Sequence, residues 1–387
     1  MLLILSLLIL VVLIFGLFEF RIHQNSLSKI PIRIHVNGSR GKSSVVRLIA
    51  AGLRSGGIKT VAKTTGTSPR IIDEFGSDKY IHRLRSASIG EQISLIRRFS
   101  KIKPNALVIE CMAVNPQYQW ISEHKIVQST IGVMTNVRPD HLDEMGISIE
   151  QITKSMGNTI PFNGTLVTAE VKQLNLLESI AKNRNSKFYS TSENDIDNDN
   201  ISKFQYLEHK ENISLAVKVC QLCGVDKDIA LKGMSRCTPD PGALTMWNIK
   251  FKSNNFEFIN AFAANDPAST LKTWKLINER LNREKFAIFL NTRLDRQYRT
   301  IQLIDLIFKK LKPEVLVLRG ENFPSEIKDL SKKNKKIKIY KFPYSIKQSD
   351  LIKFFDESLS NHVVLGIGNI VGWGELLMKK MKEYKVD

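Results

Sequence analysis

The chain has 387 residues, 43% of them hydrophobic and 25% charged. That balance excludes a mainly disordered chain, a collagen-like fibre and a polytopic membrane protein, and four cysteines exclude a disulfide scaffold. Lys and Arg number 57 against 38 Asp and Glu, a formal charge of +19, which favours polyanionic partners: nucleotides, nucleic acid, anionic lipid or an acidic polymer.

Residues 1–18 carry no charge, and fifteen of these eighteen are Leu, Ile, Val or Phe. Their summed insertion free energy is about −6 kcal/mol as an upper bound. As a helix they reach ~27 Å, near the thickness of a bilayer core. A cleaved signal peptide fits poorly, because there is neither a basic leading region nor an A-x-A site. Residues 1–20 are therefore expected to be a single transmembrane anchor. Arg21, Lys29 and Arg33 all follow it, so the positive-inside rule places the rest of the chain in the cytoplasm. Cys111, Cys220, Cys223 and Cys237 are expected to be reduced there. The Cys220-x-x-Cys223 pair lacks a second pair for a zinc site and reads as packed core thiols.

After the anchor, strands are predicted over 32–36, 59–62, 106–110, 130–135 and 165–168, with helices over 42–55, 90–101 and 149–159. This alternation predicts an α/β fold with a parallel sheet. The Ser-, Asn- and Asp-rich stretch 190–202 reads as a surface loop. Helices follow over 211–223 and 227–234. Thr238-Pro239-Asp240-Pro241-Gly242 is then a strong breaker and a domain boundary. Beyond it strands are predicted over 256–261, 286–290, 315–318, 338–340 and 363–365, with helices over 269–280, 301–310, 350–357 and 375–383. The six lysines of 332–341 read as a solvated face. The expected layout is an anchor over 1–20, one domain over 30–240 and a second over 245–387.

The sharpest motif is Val36-Asn37-Gly38-Ser39-Arg40-Gly41-Lys42-Ser43, with Ser44 next. It follows a strand and opens a helix, the context a phosphate loop requires. Its glycines let successive backbone N–H groups form an anion nest, and the helix N-terminus adds partial positive charge. Lys42 is the candidate phosphate cation and Ser43 the candidate Mg²⁺ ligand. The usual G-x-x-x-x-G-K-[ST] pattern is met only in part, because Val36 stands where it has Gly. Glu110 closes the apolar run 106–109, and Asp140-His141-Leu142-Asp143 follows the strand ending near Thr135-Asn136. In a parallel sheet such strand ends converge on the ligand crevice. A carboxylate and an imidazole arriving there beside a phosphate loop suit Mg²⁺–ATP.

The loop at 36–43 is similar to the V-T-G-T-N-G-K-T loop of the Mur ligases and folylpolyglutamate synthases, and 135–143 resembles their T-N-x-x-x-D-H-L-D segment. A closer resemblance is to the ligase subunits of poly-γ-glutamate synthases, the PgsB/CapB type. It rests on an N-terminal membrane helix and on the segments 37–43, 63–67, 110–116, 140–143, 240–243, 262–266 and 366–369. The resemblance implies a P-loop, Mur-ligase-like central ATP-binding domain and a smaller Rossmann-like α/β domain. It assigns phosphate to Lys42, Mg²⁺ to Ser43, Glu110 and His141, and adenine to Asn212. The sequence departs from the Mur pattern at three places. Ser155 and Met156 stand where a carbamylated lysine is usual, Ala243 where an arginine follows the linker, and Ala261 where an acid holds ribose. Arg293, Asp295 and Arg296 are the candidates to replace the contacts of the second domain, with a solvated loop as the competing reading.

The resemblance implies ATP-dependent amide ligation. The γ-carboxylate of a growing polyglutamate is phosphorylated, and glutamate displaces the phosphate. Other membrane subunits are the implied partners, the product is a capsule or exported polymer, and nucleic acid is not expected as a partner. Two alternatives stand beside this one. The first is a related ligase with another acid or amine, and the second is a membrane-tethered P-loop NTPase without synthetic activity.

Overall fold

β-Branched residues at alternate positions, such as Ile32, Ile34 and Val36, favour extended backbone with one face for each of two helical layers. The computed structural model describes residues 2–386 apart from 66–68, 82–87, 203, 205, 207, 240–243, 252–253, 263–265, 282–284, 295–296, 322 and 324–335, and for side chains also apart from 2, 198, 202 and 280. The chain divides into two units, residues 1–240 and 241–387.

The first unit opens with helix α1 (Leu2–Ser28), longer than the expected anchor by most of a third of its length. Its strands are β1 (Ile32–Asn37), β2 (Thr60–Thr64), β3 (Arg70–Ile72), β4 (Asp78–Tyr80), β5 (Ala106–Glu110), β6 (Ile131–Met134), β7 (Thr165–Thr168) and β8 (Lys187–Ser190). They form one sheet in the order β4-β3-β2-β5-β1-β6-β7-β8. Six strands are parallel, the arrangement expected, though β8 was not predicted. β3 and β4 were not predicted and run antiparallel at one edge. They are three residues each and rich in charge, so they carry no apolar period to read.

The helices are α2 (Lys42–Ser55), α3 (Gly90–Ser100), α4 (Pro116–Ile121), α5 (Leu142–Met145), α6 (Ile149–Met156), α7 (Leu174–Asn183), α8 (Asn198–Ser202), α9 (Lys210–Leu222) and α10 (Lys227–Ser235). α8 and a 3-10 turn at Glu193–Asp195 lie in the stretch read as loop; their helices are too short to show a pattern. Local caps fix several starts: Asn115 before Pro116 on α4, a Ser148–Gln151 capping box on α6, and Asp226 on α10. α4 continues into a π-helical turn, Ser122–Val127.

Side-chain alternation sorts the core. Ile34, Val36, Ala62, Val108 and Val133 pack with α2, α9 and α10 on one face. Val61, Leu107 and Ile109 pack with Leu27, Ile30 and α3 on the other. Cys220 is fully buried and Cys223 packs at the margin of the same core, as the sequence predicts for packed thiols. Burial pushes the Cys223 thiol up to about 11, so it stays protonated.

The second unit holds β9 (Thr245–Lys250), β10 (Asn255–Asn260), β11 (Phe286–Asn291), β12 (Val315–Arg319), β13 (Lys338–Phe342), β14 (Val363–Gly368) and β15 (Lys385–Val386), in the order β13-β12-β11-β14-β10-β9-β15. β9 and β15, both unpredicted, run antiparallel at one side of the sheet, with β15 at the edge. The helices are α11 (Pro267–Arg280), α12 (Gln297–Leu306), α13 (Gln348–Ser358) and α14 (Trp373–Met381). Asp240 to Ala243, Gly66, Thr67, Asp295, Arg296 and the first lysines of the 332–341 run lie outside the described residues.

One buried ion pair ties β1 to the π-helical turn. His35, fully buried, places Nδ1 2.7 Å from Glu123 Oε2. The other Glu123 oxygen accepts from the Ser129 N–H at 2.9 Å and the Ser129 hydroxyl at 2.8 Å. Burial alone would push the imidazole down, but the contacts with Cys111 and Glu123 outweigh it and lift His35 from 6.5 to about 9. A folded value above the unfolded one means stability is fully present below pH 6.5 and is lost as pH rises through about 9. Denaturant titrations across this window should show stability falling by up to about 3 kcal/mol. Glu123→Gln should cost about 3 kcal/mol near neutral pH and flatten the fall. A wild-type profile flat over this range would contradict the assignment.

Candidate active site

Strands β5, β1 and β6 are neighbours and parallel, so the chain leaving each of them arrives at one edge of the sheet. β1 leads through residues 38–41 into α2. Gly41, at φ +82°, is the N-cap of α2, and Gly38 has φ +135°. Both need glycine. A Cβ on Gly38 would lie 2.0 Å from Thr135 Oγ1, and one on Gly41 2.9 Å from Asn212 Oδ1.

The chain after β6 holds this loop open. The Ser39 N–H donates to the Asn136 carbonyl at 2.9 Å. The Arg40 carbonyl accepts from Thr135 Oγ1 at 2.7 Å and Asn136 Nδ2 at 3.0 Å, while Asn136 Oδ1 accepts from the Arg40 N–H at 3.1 Å. Ser39 Oγ donates to the Arg138 carbonyl and accepts from the Arg138 N–H. Arg40 Nη1 pairs with Asp140 Oδ2 at 2.7 Å. The T-N-x-x-x-D-H-L-D segment is thus the clamp of the phosphate loop.

The predicted residues divide into several groups. Lys42 turns back over the loop, its Nζ donating to the Gly38 carbonyl at 2.6 Å. Ser43 Oγ donates to Glu110 Oε2 at 2.8 Å, and the same oxygen accepts from the Thr65 N–H at 2.7 Å. Ser44 follows on the first turn of α2. Asn37 sits behind the loop. Its Oδ1 accepts from the Gly38 N–H, and its Nδ2 donates to Gln119 Oε1 and Thr159 Oγ1. Asn212 lies against Gly41, with Nδ2 donating to Glu208 Oε1 at 2.8 Å. His141 has φ +46° and its side chain is 46% exposed, with Nε2 4.0 Å from Asp140 Oδ1. The structure therefore brings Ser43 and Glu110 together and sets His141 beside Asp140.

Ser43 and Glu110 are hard oxygen donors already in contact, the chemistry that a small divalent cation such as Mg²⁺ requires. Among the described residues no group of three or more His, Cys, Asp or Glu side chains gathers as a metal cluster. An open coordination sphere completed by phosphate oxygens and water is the usual state of Mg²⁺ at nucleotide sites. Where a carbamylated lysine is usual, Ser155 is buried and accepts from Gln119 Nε2 at 3.2 Å. Lys154 is instead exposed and paired with Glu150 at 2.6 Å.

Two groups were given no role in the sequence reading, although Lys63 opens the segment 63–67. Lys63, fully buried at the end of β2, reaches Glu91 Oε1 at 3.1 Å on α3. In the second unit Arg319 closes β12. It is buried, donates to Asn291 Oδ1 at 2.9 Å, and lies 3.9 Å from the Trp373 ring centroid and 5.2 Å from that of Tyr344. Burial pushes its guanidinium down, and no ion pair to it occurs among the described residues. The signal was present: Arg319-Gly320 and Gly366-x-Gly368-Asn369 both end strands of this sheet. Of the candidates here, Arg293 is partly exposed after β11.

The Mur ligase middle domain family matches residues 36–234. A folylpolyglutamate synthase/dihydrofolate synthase of Yersinia pestis, solved with AMPPNP and Mn ion, has the same fold: TM-score 0.66 at 12% identity, over 94% of this chain and 92% of that one. The phosphate loop and its clamp thus belong to a Mur-type fold. The poly-gamma-glutamate synthase CapB C-terminal domain family matches residues 246–384. PGA synthase CapB of Bacillus subtilis is 37% identical over 97% of this chain and 96% of its own length. Capsule biosynthesis protein CapB of Bacillus anthracis is 35% identical over 96% of this chain and 81% of its own. The chain belongs to the CapB family of poly-γ-glutamate synthases, and it is an ATP-dependent amide ligase.

Gly38→Ala tests the loop. The backbone alone would cost about 1–2 kcal/mol at this φ, and the methyl group would displace Thr135 from the Arg40 carbonyl. Affinity for a fluorescent ATP analogue should fall at least about tenfold, with the far-UV spectrum unchanged. Unaltered binding would remove the loop from the nucleotide site.

Proposed function

We propose that the protein polymerises glutamate into poly-γ-glutamate through an acyl phosphate, for capsule or export, from the cytoplasmic face of the membrane. The single observation that carries the reading is the Ser43–Glu110 contact beside Lys42 on a clamped phosphate loop. The solved relative with AMPPNP and Mn ion supports ATP and a divalent metal for this fold; Mg²⁺ is the proposed ion here. The names of the two curated relatives support glutamate polymer as the product.

A carboxylate is a poor electrophile. Transfer of the γ-phosphoryl group to it makes a mixed anhydride, and the amine of the incoming glutamate then displaces phosphate. Such a transfer chiefly needs positioning and charge neutralisation. Lys42 supplies a cation at the loop, the backbone N–H groups of residues 41–43 at the start of α2 cradle phosphate oxygens, and Asn212 borders the nucleotide at Gly41. Ser43, Glu110 and His141 are proposed to hold Mg²⁺, which when bound neutralises phosphate charge. In the second unit Arg319, buried between two aromatic faces, is proposed to recognise an anionic substrate group; Arg293, Asp295 and Arg296 remain further candidates there. Helix α1 is long and apolar enough to span a membrane and its apolar window is 0% buried, which supports an anchored enzyme working with other membrane subunits.

The test uses the full chain in membranes, co-expressed with its partner subunits and given ATP, Mg²⁺ and glutamate. ADP release and acid-hydrolysable glutamate polymer should appear together, and Lys42→Ala should reduce both by about 10²–10³-fold. ATP turnover indifferent to D- or L-glutamate would sink the reading and favour another amine or a simple NTPase.

A further inference from the structure

The chain entering β1, β2 and β5 forms one edge of the first unit's sheet, opposite the phosphate loop. Residues 20–33, 54–60 and 97–105 supply it, and together they hold nine Lys or Arg and no Asp or Glu. Helix α1 is fastened to the same edge. Arg97 Nη2 on α3 lies 2.5 Å from Glu19 Oε2, directly after the apolar run. His23 Nε2 lies 2.8 Å from the Ile126 carbonyl. Leu27 and Ile30 are buried in the core with α3. The helix therefore passes into the folded unit as a braced strut, without a flexible tether. The Glu19–Arg97 pair sets the C-terminal end of α3 level with the end of the apolar run. Lys101 continues α3 one turn beyond Arg97 on the same face and is exposed, as are Arg98, Lys103 and Arg21. Exposed Lys59 joins them, its Nζ donating to the Ile102 carbonyl at 2.7 Å.

We infer that this edge is a membrane seat: Arg21, Lys59, Arg98, Lys101 and Lys103 face the headgroups of an anionic phospholipid leaflet, and the nucleotide edge points away from the bilayer. The inference rests on the reading of α1 as a span. Charge complementarity selects the occupant, because a juxtamembrane cluster of exposed cations, with the neighbouring Glu19 already paired to Arg97, is drawn to negative lipid. Continuity with the braced helix fixes its place.

Lysine-reactive footprinting by mass spectrometry tests it on the full chain in lipid nanodiscs. Moving from pure phosphatidylcholine to discs containing phosphatidylglycerol should lower labelling of Lys59, Lys101 and Lys103 about fivefold. Labelling should recover at about 0.5 M salt, where screening is short-ranged. Exposed Lys172, which follows β7 at the nucleotide edge, should label equally in both. In Lys101→Gln/Lys103→Gln, protection of Lys59 should weaken. Equal labelling of the edge lysines on both lipids, or protection of Lys172 in their place, overturns the seat. Release of the chain from vesicles by alkaline carbonate overturns the span itself, and is read separately from the lipid dependence.

Discussion

The nucleotide edge depends on one shared acceptor, the carbonyl of Arg40, which takes hydrogen bonds from both Thr135 and Asn136. A loop with glycines at φ +135° and +82° would not hold that form alone, since its open backbone gives up conformational entropy for few contacts. The strand next door supplies the missing constraint. Once the Arg40 peptide is fixed, Gly41 starts α2, Ser43 falls within reach of Glu110, and Lys42 can return over the loop. The Arg40–Asp140 ion pair adds a second tie to the same segment. It is partly exposed, so its worth lies in geometry more than in energy.

This dependence explains what was legible in the sequence. The loop and the Asp-His-Leu-Asp segment were both visible, because glycine, lysine and a charged turn stand out against apolar strands. Their roles toward each other were not. Asn37 reads as a phosphate contact by its place in the motif, yet its side chain faces Gln119 and Thr159 in a buried network. His141 reads as a metal ligand by its place in the motif, but the αL backbone that sets it beside Asp140 is not visible in that motif. Motif position fixes where a residue enters the site. For Asn37 the direction of the side chain is set by partners some 80 to 120 residues away, which no local pattern records.

The fold shows the same division. The parallel strands β5 and β6 announce themselves by continuous apolar runs buried on both faces, and β1 by alternating β-branched residues. The antiparallel strands β3, β4, β9 and β15, which complete one side of each sheet, are short or alternate with polar residues, and they exist because a neighbour offers free backbone groups. The His35–Glu123 pair was equally invisible. A histidine in a strand and a glutamate 88 residues on give no sign that they meet without water. Such a pair stabilises little compared with apolar replacements, but loss of one partner strands a buried charge, so it fixes the π-helical turn against β1.

The net charge of +19 takes on a different meaning once it is placed on the fold. As a single number it argues for retention of a polyanionic product. On the structure a share of it gathers at the edge where α1 enters, and that edge is opposite the phosphate loop. Cations there are too far from the loop to hold a substrate carboxylate at Lys42, because the sheet lies between and salt screens charges beyond about 10 Å. On the reading proposed above, product retention draws on other cations, for which Arg319 of the second unit is a candidate, while the edge cations serve orientation. An enzyme fixed in this attitude presents its crevice to the aqueous side, where ATP and glutamate arrive by diffusion. The growing chain, negatively charged along its length, would begin away from the anionic leaflet and need a separate route to it. In the proposed reading, that separation is the physical reason for the ligase to need a further component that carries the chain to the membrane.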